Sequence, residues 1–306
     1  AGEDAGADAA AEARLDALLA ACVESGASDL HLAPGRPPYF RVHGDLRPDP
    51  AAALTQDEVA RMARSLCRGS GTAGLAATGS QGGVSVAVRL LEETFRTLGE
   101  LGLPEALYAL CDLPDGIVLV AGPTGAGKST TLAALVDRVN RTRRTHIITI
   151  EDPVEYVHEP VESLINQRQV GADAASFHDA LVASLREDPD VILVGEVRDL
   201  DTIRTAIRAA ETGHLVLTTV HAGDSVGTIE RLVSVFPADE QAGIRRQLAL
   251  VLRAIVAQHL LPADGPASIR SGRRGRVVAS EVLMCTPAIA HLVGTGRSAQ
   301  VYAAME

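Results

Sequence analysis

The stretch Gly122-Pro123-Thr124-Gly125-Ala126-Gly127-Lys128-Ser129 decides the fold of this chain. It matches the template G-x-x-x-x-G-K-[ST], in which backbone N–H groups and a helix N-terminus surround a polyphosphate. The apolar run 117–120 before it predicts a buried strand, and apolar residues after it at helical spacing predict a helix. This strand, loop and helix together predict that the chain binds a nucleoside triphosphate.

Two side chains of this loop suit polyphosphate chemistry. The Lys128 ammonium can reach the β- and γ-phosphates, and the Ser129 hydroxyl can hold Mg²⁺. The alternative is a glycine-rich turn with an incidental lysine, which the match of the whole motif and of both flanking elements disfavours. The residues predicted to contact the nucleotide are Gly122, Pro123, Thr124, Gly125, Ala126, Gly127, Lys128, Ser129 and Thr130.

Composition excludes several other classes of protein. At 306 residues the chain is long enough for two domains, and its net charge of −11 argues against broad binding to nucleic acid. The four cysteines include no C-x-x-C pair, so neither a zinc site nor a disulfide framework is expected. No apolar run reaches the ~18–20 residues of a membrane-spanning helix, and no secretory signal opens the chain. We therefore expect a cytoplasmic protein without a transmembrane segment.

The first 96 residues predict a small α+β domain followed by a helical linker. An amphipathic helix over 11–24 precedes short strands that are separated by turns rich in proline and glycine. From residue 97 to 306, apolar strands alternate with helices, which predicts an α/β fold with a parallel sheet covered on both faces. The predicted strands of this second domain are 117–120, 146–150, 191–194 and 215–220.

Three of these strands end in polar residues. The strand 146–150 runs into a segment that contains Glu151, Asp152 and Glu155; the next ends before Glu196, and the last before His221. An acid at the end of an apolar strand can bind Mg²⁺, and hydrolysis needs a group that activates water. Each acid alone could be an ordinary strand-end carboxylate, and His214 and His221 could be structural histidines. Ligands bind at the carboxyl ends of parallel strands. Because these polar residues share that edge of the sheet, a catalytic site is favoured over isolated structural roles.

Four segments of the chain resemble the motifs of the type II/IV secretion ATPase superfamily. The phosphate loop resembles the Walker A motif of that superfamily, and 149–158 its Asp box. The segment 185–199 is similar to its Walker B motif, and 210–216 to its His box. Within the superfamily, the chain is most similar to the PilT-like ATPases of type IV pilus retraction and twitching motility. The resemblance extends over about residues 15–304, with shorter matches at 27–32, 235–237 and 256–258.

The resemblance implies a hexameric ring that hydrolyses ATP with Mg²⁺. Each subunit would have a PAS-like N-terminal domain and a RecA-like ATPase domain. By motif position, Glu155 is the expected catalytic base, and Ser129, Glu196 and Asp152 are the expected magnesium ligands. His221 matches the histidine that senses the γ-phosphate, and Arg89 matches an arginine finger of the small domain. The implied partner is an inner-membrane pilus platform protein, contacted at the inner face of the cytoplasmic membrane.

Two departures from the family pattern stand out. The segment 71–80 has no arginine, where the family has an arginine-containing strand upstream of the Arg89 position. Either the small domain has lost a strand pair or the sequence skips residues here, and we favour the second because a lost strand would expose a sheet edge. The chain also stops at Glu306, before the family's C-terminal helical segment with its Ala-Ile-Arg-Ala-Gly-Glu motif. A truncated C-terminal segment would leave nucleotide chemistry intact but would weaken the case for retraction.

Three alternative functions follow from the same residues. A pilus-extension or type II secretion ATPase of the superfamily usually has an extra N-terminal domain and a four-cysteine zinc cluster, and this sequence has neither. A regulator that binds nucleotide without hydrolysing it would not need Glu155, Glu196 and Arg89. A DNA-translocating motor is disfavoured by the negative charge and by the aromatic content of 3%.

Overall fold

The chain folds into two compact units, Ala1–Glu93 and Thr94–Glu306, which we call the N-terminal and C-terminal units. The fold class predicted from the sequence, α/β with a parallel sheet after a small α+β region, is confirmed. The computed structural model describes residues 2–42, 45–68, 73–80, 83–90, 95–262 and 276–305.

The N-terminal unit is a small antiparallel sheet packed against two helices. Its five described strands lie in the order β3-β2-β1-β5-β4, and neighbouring strands pair antiparallel. Apolar residues of α1, β1, α2 and β5, among them Leu18, Leu30, Met62 and Val88, form its core. The elements are α1 (Gly2–Glu24), β1 (Asp29–Leu32), β2 (Tyr39–Val42), β3 (Asp45–Pro48), α2 (Gln56–Arg68), β4 (Ala73–Ser80) and β5 (Gly83–Leu90).

Strand β4 occupies the segment where the sequence suggested missing residues. It pairs with β5 along its whole length, from Ala73 opposite Leu90 to Ser80 opposite Gly83. Residues 70–72 and 81 lie outside the described part of the chain. Strand β4 contains no arginine.

The C-terminal unit is built on one large sheet in the strand order β12-β11-β6-β10-β9-β7-β8. From β11 to β8 the described pairs are parallel, and β12 runs antiparallel to β11. Short 3₁₀ turns at Glu105–Asp112, Ser298–Gln300 and Tyr302–Ala304 complete it. The other elements are α3 (Leu98–Leu101), β6 (Gly116–Ala121), α4 (Lys128–Thr142), β7 (His146–Glu151), β8 (Leu164–Gln169), α5 (Phe177–Ser184), β9 (Val191–Val194), α6 (Leu200–Glu211), β10 (Leu215–Val220), α7 (Ser225–Ser234), α8 (Ala238–Val251), β11 (Leu252–Pro262), β12 (Arg276–Met284) and α9 (Pro287–Gly294).

Strand β6 lies in the middle of this sheet. Both of its faces are apolar, so both can be covered. All of its residues are buried; Ile117 and Leu119 pack into the core on one face, and Val118 and Val120 into the core on the other. A parallel strand covered on both sides by helices needs such a continuous apolar run. The residues predicted to form the apolar face of the following helix, Leu132, Leu135, Val136 and Val139, are buried in α4 as expected.

None of the helices in the described residues combines the length and the apolar character that crossing a membrane requires.

Candidate phosphate-binding and catalytic site

The loop between β6 and α4 has backbone conformations at its two ends that favour glycine. Gly122 has φ +154°, and a Cβ there would lie 2.4 Å from the backbone oxygen of Gln258. Gly127 has φ +86° and is the N-cap of α4, where no side chain caps the helix. The first N–H groups of an α-helix have no partner within the helix, so the start of α4 can bind an anion.

The Lys128 side chain folds back over this loop. Its Nζ donates hydrogen bonds to the backbone oxygens of Gly122 at 3.0 Å and Pro123 at 3.1 Å. Burial lowers the pKa of Lys128, while the negative charges of Glu196 and Glu155 act in the opposite direction. The loop, the lysine and two of the predicted acids therefore belong to one electrostatic site.

A residue to which the sequence analysis gave no role also contacts the loop. Gln258 of β11 is fully buried; its Nε2 donates to the Ala126 oxygen at 2.6 Å, and its Oε1 accepts from the Thr131 hydroxyl at 2.9 Å. The sequence offers one indication of a role for Gln258: it is a single amide in the apolar strand that includes Val256. A polar side chain in such a strand is retained only if it is hydrogen-bonded.

Two glutamates, one at the end of β7 and one in the segment after it, lie in different environments. Glu151 accepts hydrogen bonds from the Thr149 hydroxyl at 2.7 Å and from Gln167 Nε2 at 3.2 Å. Burial raises the pKa of Glu151, the charge of Glu155 raises it further, and the hydrogen bonds oppose the rise. Glu155 is itself half-buried, and its backbone N–H donates to the Glu151 carboxyl. Glu151 therefore shapes the turn that presents Glu155.

Strands β9 and β10 bring an acid and an imidazole to the same edge. His221 Nε2 lies 3.6 Å from Glu196 Oε2, and Arg198 Nε lies 2.6 Å from the same oxygen. Burial lowers the pKa of His221, and so does the positive charge of Lys128, against the opposing effect of Glu196. A neutral imidazole beside a carboxylate and a lysine can donate or accept a proton near a polyphosphate.

A ring cluster attaches the Glu155 segment to its surroundings. Phe95 stacks on His158 with ring centroids 4.4 Å apart, and lies 5.9 Å from the Tyr156 ring. Tyr156 also shares a hydrogen bond of 2.9 Å with the Thr130 hydroxyl in the first turn of α4. Burial lowers the pKa of His158 to about 4, so this ring is neutral at physiological pH.

His214, by contrast, lies away from this site and has a structural role. Its Nδ1 is 2.8 Å from the Ala209 oxygen and 3.2 Å from the Thr212 hydroxyl. It stands just before β10, and its backbone oxygen accepts from Gly116 N at the beginning of β6. That is the opposite end of both strands from the phosphate loop.

Arg89 lies on β5 of the N-terminal unit. Its Nε donates to Asp29 Oδ1 at 3.0 Å, and the two residues face each other across β1 and β5. Two acids that follow it closely in sequence and could pair with it, Glu92 and Glu93, lie outside the described residues. The Arg89 side chain remains 60% exposed, so the ion pair leaves its guanidinium accessible.

The three residues predicted to bind Mg²⁺ offer only oxygen donors, which suit Mg²⁺ better than a transition metal. The hydroxyl of Ser129 and the carboxylate of Asp152 belong to exposed residues, and Glu196 adds a second carboxylate. Within the described residues, no cluster of three or more His, Cys, Asp or Glu could hold a metal ion. Mg²⁺ is commonly held by one or two carboxylates together with substrate phosphates, which is what this donor set offers.

Fold and site together define a P-loop nucleotide-binding protein. Comparison with known proteins identifies the family to which it belongs. The sequence model of the type II/IV secretion system protein family matches residues 76–305. The chain belongs to the type II/IV secretion system protein family.

Its relatives include proteins of pilus retraction. The type IV pilus retractation ATPase PilT of Pseudomonas aeruginosa is 41% identical, over 94% of this chain and 88% of its own length. The twitching motility protein of Neisseria gonorrhoeae is 38% identical, over 88% of this chain and 75% of its own length. The crystal structure of the pilus retraction motor PilT with bound ADP matches with a TM-score of 0.83 at 40% identity, covering 94% of this chain and 88% of that one. The predicted resemblance is thus confirmed.

Proposed function

We propose that this chain is the ATP-hydrolysing subunit of a motor that powers type IV pilus retraction and twitching motility. The observation that carries the proposal is the environment of Lys128. The ammonium lies on the carbonyls of the phosphate loop, the charges of Glu155 and Glu196 act on it, and its own charge acts on His221. The relatives described as a pilus retraction ATPase and a twitching motility protein support the biological assignment.

Each predicted site residue has a role in this proposal. The loop from Gly122 to Thr130 binds the phosphates, and Lys128 bridges the β- and γ-phosphates. Glu155 accepts the proton of the attacking water, and His221 contacts the γ-phosphate.

Ser129, Glu196 and Asp152 would hold Mg²⁺, which neutralises phosphate charge when it is bound. Because Arg198 is paired with Glu196, this carboxylate is already fixed at the edge of the sheet.

The motor is proposed to act as a homo-hexamer at the inner face of the cytoplasmic membrane. Its partner there would be the inner-membrane platform protein of the pilus, and specific binding to nucleic acid is not expected. The net charge of −11 supports the last point, since a nucleic-acid motor needs a basic face.

Two measurements on the unmodified chain and one on cells that lack it test the proposal. Phosphate release from ATP should depend on Mg²⁺, the protein should elute as a hexamer, and cells that lack it should carry an excess of surface pili. Loss of surface pili in those cells would instead indicate an extension motor. Nucleotide binding without phosphate release would indicate a regulator.

Arg89→Ala tests whether this residue acts as an arginine finger. We expect near-normal ATP binding and assembly but at least ~10²-fold slower turnover, since fingers stabilise charge on the transferred phosphoryl group. Phosphate release and a nucleotide titration check the two halves of this expectation. Arg41→Ala is the matched control: Arg41 lies 3.9 Å from the same Asp29, so this variant also removes a cation beside that carboxylate. Turnover in Arg41→Ala should stay near wild type.

Mixed rings then locate the site on which Arg89 acts. We expect the finger to serve the site of its own chain, so mixing Arg89→Ala subunits with Glu155→Gln subunits should restore no activity. Recovered hydrolysis would show that the arginine acts across a subunit boundary. In either case an arginine of the N-terminal unit would act on a site in the C-terminal unit. Turnover would then be linked to rigid-body motion of these units.

A further inference from the structure

Gln258 is the buried side chain that connects β11 with the phosphate loop. Its amide makes one hydrogen bond to the loop, at the Ala126 oxygen, and one to the first turn of α4, at the Thr131 hydroxyl. It is fully buried, so neither bond can be replaced by water. The Thr131 hydroxyl also lies 3.2 Å from the Gly127 oxygen, which brings the amide, the loop and the helix into one hydrogen-bonded network.

The backbone of β11 also approaches the loop closely. A Cβ on Gly122 would lie 2.4 Å from the Gln258 oxygen, and one on Gly127 would lie 3.3 Å from Gln258 Nε2. Both ends of the loop are therefore in contact with this single residue of β11. Lys128 contacts the loop through the carbonyls of Gly122 and Pro123, and Gln258 through that of Ala126.

We propose that Gln258 is a positioning residue that holds the phosphate loop in its nucleotide-binding shape. In a trans peptide the C=O of one residue and the N–H of the next point in opposite directions. By holding the Ala126 carbonyl toward β11, the amide directs the Gly127 N–H away from β11. Backbone N–H groups with such a fixed direction are what a phosphate loop uses to bind phosphate oxygens. This inference rests on the proposed function, because it assumes that the loop binds nucleotide.

The side-chain chemistry required at this position is narrow. The site needs a donor toward the Ala126 oxygen and an acceptor toward Thr131, and a glutamine amide offers both without having to bind a proton. A leucine would leave the Ala126 carbonyl buried without its partner. An ionised glutamate would put a carboxylate oxygen against that carbonyl, so Gln258→Glu should resemble Gln258→Leu despite its matching shape.

The test compares Gln258→Leu with the wild type in ADP affinity and in steady-state kinetics. We expect ADP to bind at least ~10-fold more weakly, as the loss of two buried hydrogen bonds would give. The KM for ATP should rise by a similar factor, with a smaller change in kcat, because the lost interaction serves substrate and transition state alike. Hydrogen exchange of the segment 122–131 without nucleotide should also become faster.

Asn140→Leu is the matched control, because Asn140 is a buried amide at the other end of α4. Its Nδ2 donates to the Glu159 oxygen at 2.8 Å, and its Oδ1 accepts from Val161 N at 3.0 Å. This variant should lose stability while its folded fraction keeps normal ADP affinity. Thr131→Val, which spares the bond to Ala126, should weaken ADP binding by less than Gln258→Leu.

The outcomes separate the inference from the function on which it rests. If folded Gln258→Leu binds ADP as the wild type does, or loses kcat with an unchanged KM, the positioning role is wrong and the proposed function stands. Equal loss of ADP affinity in Asn140→Leu would also overturn it, since the effect would then follow from general destabilisation. If the wild-type chain itself fails to bind ADP, the proposed function and this inference both fall.

Discussion

Lys128→Ala is expected to abolish ATP turnover while leaving the fold intact. No other described cation lies on the carbonyls of the phosphate loop, so none can take its place between the β- and γ-phosphates. We expect turnover to fall at least ~10³-fold, the upper range for removing one stabilising donor, and ATP affinity to fall as well. Phosphate release and a nucleotide titration measure the two effects.

The thermal stability of this variant should stay close to that of the wild type. Burial lowers the pKa of Lys128, which means that the ammonium is held in an environment that disfavours its charge. Removing it therefore relieves a desolvation cost while it breaks two hydrogen bonds. Arg141→Ala, at the exposed end of the same helix and paired with Asp137, is the control for loss of charge. Substantial hydrolysis by Lys128→Ala would show that the phosphate-loop assignment is wrong.

Glu155→Gln is expected to keep ATP binding and to lose hydrolysis. The amide preserves the shape of the side chain but cannot accept the proton of the attacking water, and general-base catalysis contributes ~10²–10⁴-fold. We expect kcat to fall within that range at an almost unchanged affinity for ATP. Single-turnover phosphate release with bound ATP measures the chemical step directly.

Glu151→Gln provides the comparison on the same turn. Glu151 accepts bonds from Thr149 and Gln167, so its substitution should reduce stability more than it reduces the chemical step. Removing the charge of Glu155 should also lower the pKa of Glu151, because that charge now raises it. If Glu155→Gln hydrolyses ATP normally and Glu151→Gln does not, the role of base belongs to Glu151.

Local patterns predicted the elements that carry the phosphate loop. The strand before the loop and the helix after it appear where the apolar residues placed them. The strand is a continuous apolar run, the helix has apolar residues at helical spacing, and a glycine-rich loop separates the two. The polar ends of β7, β9 and β10 were predicted for a similar reason: parallel strands align their carboxyl ends. The contact between His221 and Glu196 follows from that alignment.

Two other strands of the large sheet, β11 and β8, have sequence patterns that predict a strand less clearly. Helix α8 runs directly into β11, with Val251 the last helical residue and Leu252 the first of the strand. No glycine or proline separates them, and one continuous apolar run fits a buried helix and a buried strand alike. Strand β8 is an edge strand whose polar sequence, Leu164–Gln169, lacks the apolar character of a buried strand. Local periodicity cannot identify either.

Contacts between residues distant in sequence are the part of the site that no local pattern could predict. Gln258 is 132 residues from Ala126, and Arg89 is 60 residues from Asp29. In each case the pair forms because two strands approach only in the folded chain. The sequence showed that an amide and an arginine were present, but the partners depend on the sheet order.

The stack of Phe95 on His158 connects the beginning of the C-terminal unit with the segment that follows β7. Phe95 follows Thr94, the first residue of the unit, and its ring rests on the segment that also contains Tyr156. The same segment is tied to α4 by the hydrogen bond between Tyr156 and Thr130. A displacement of the chain at Phe95 would therefore reach the segment of Glu155, the proposed catalytic base, directly through these ring contacts.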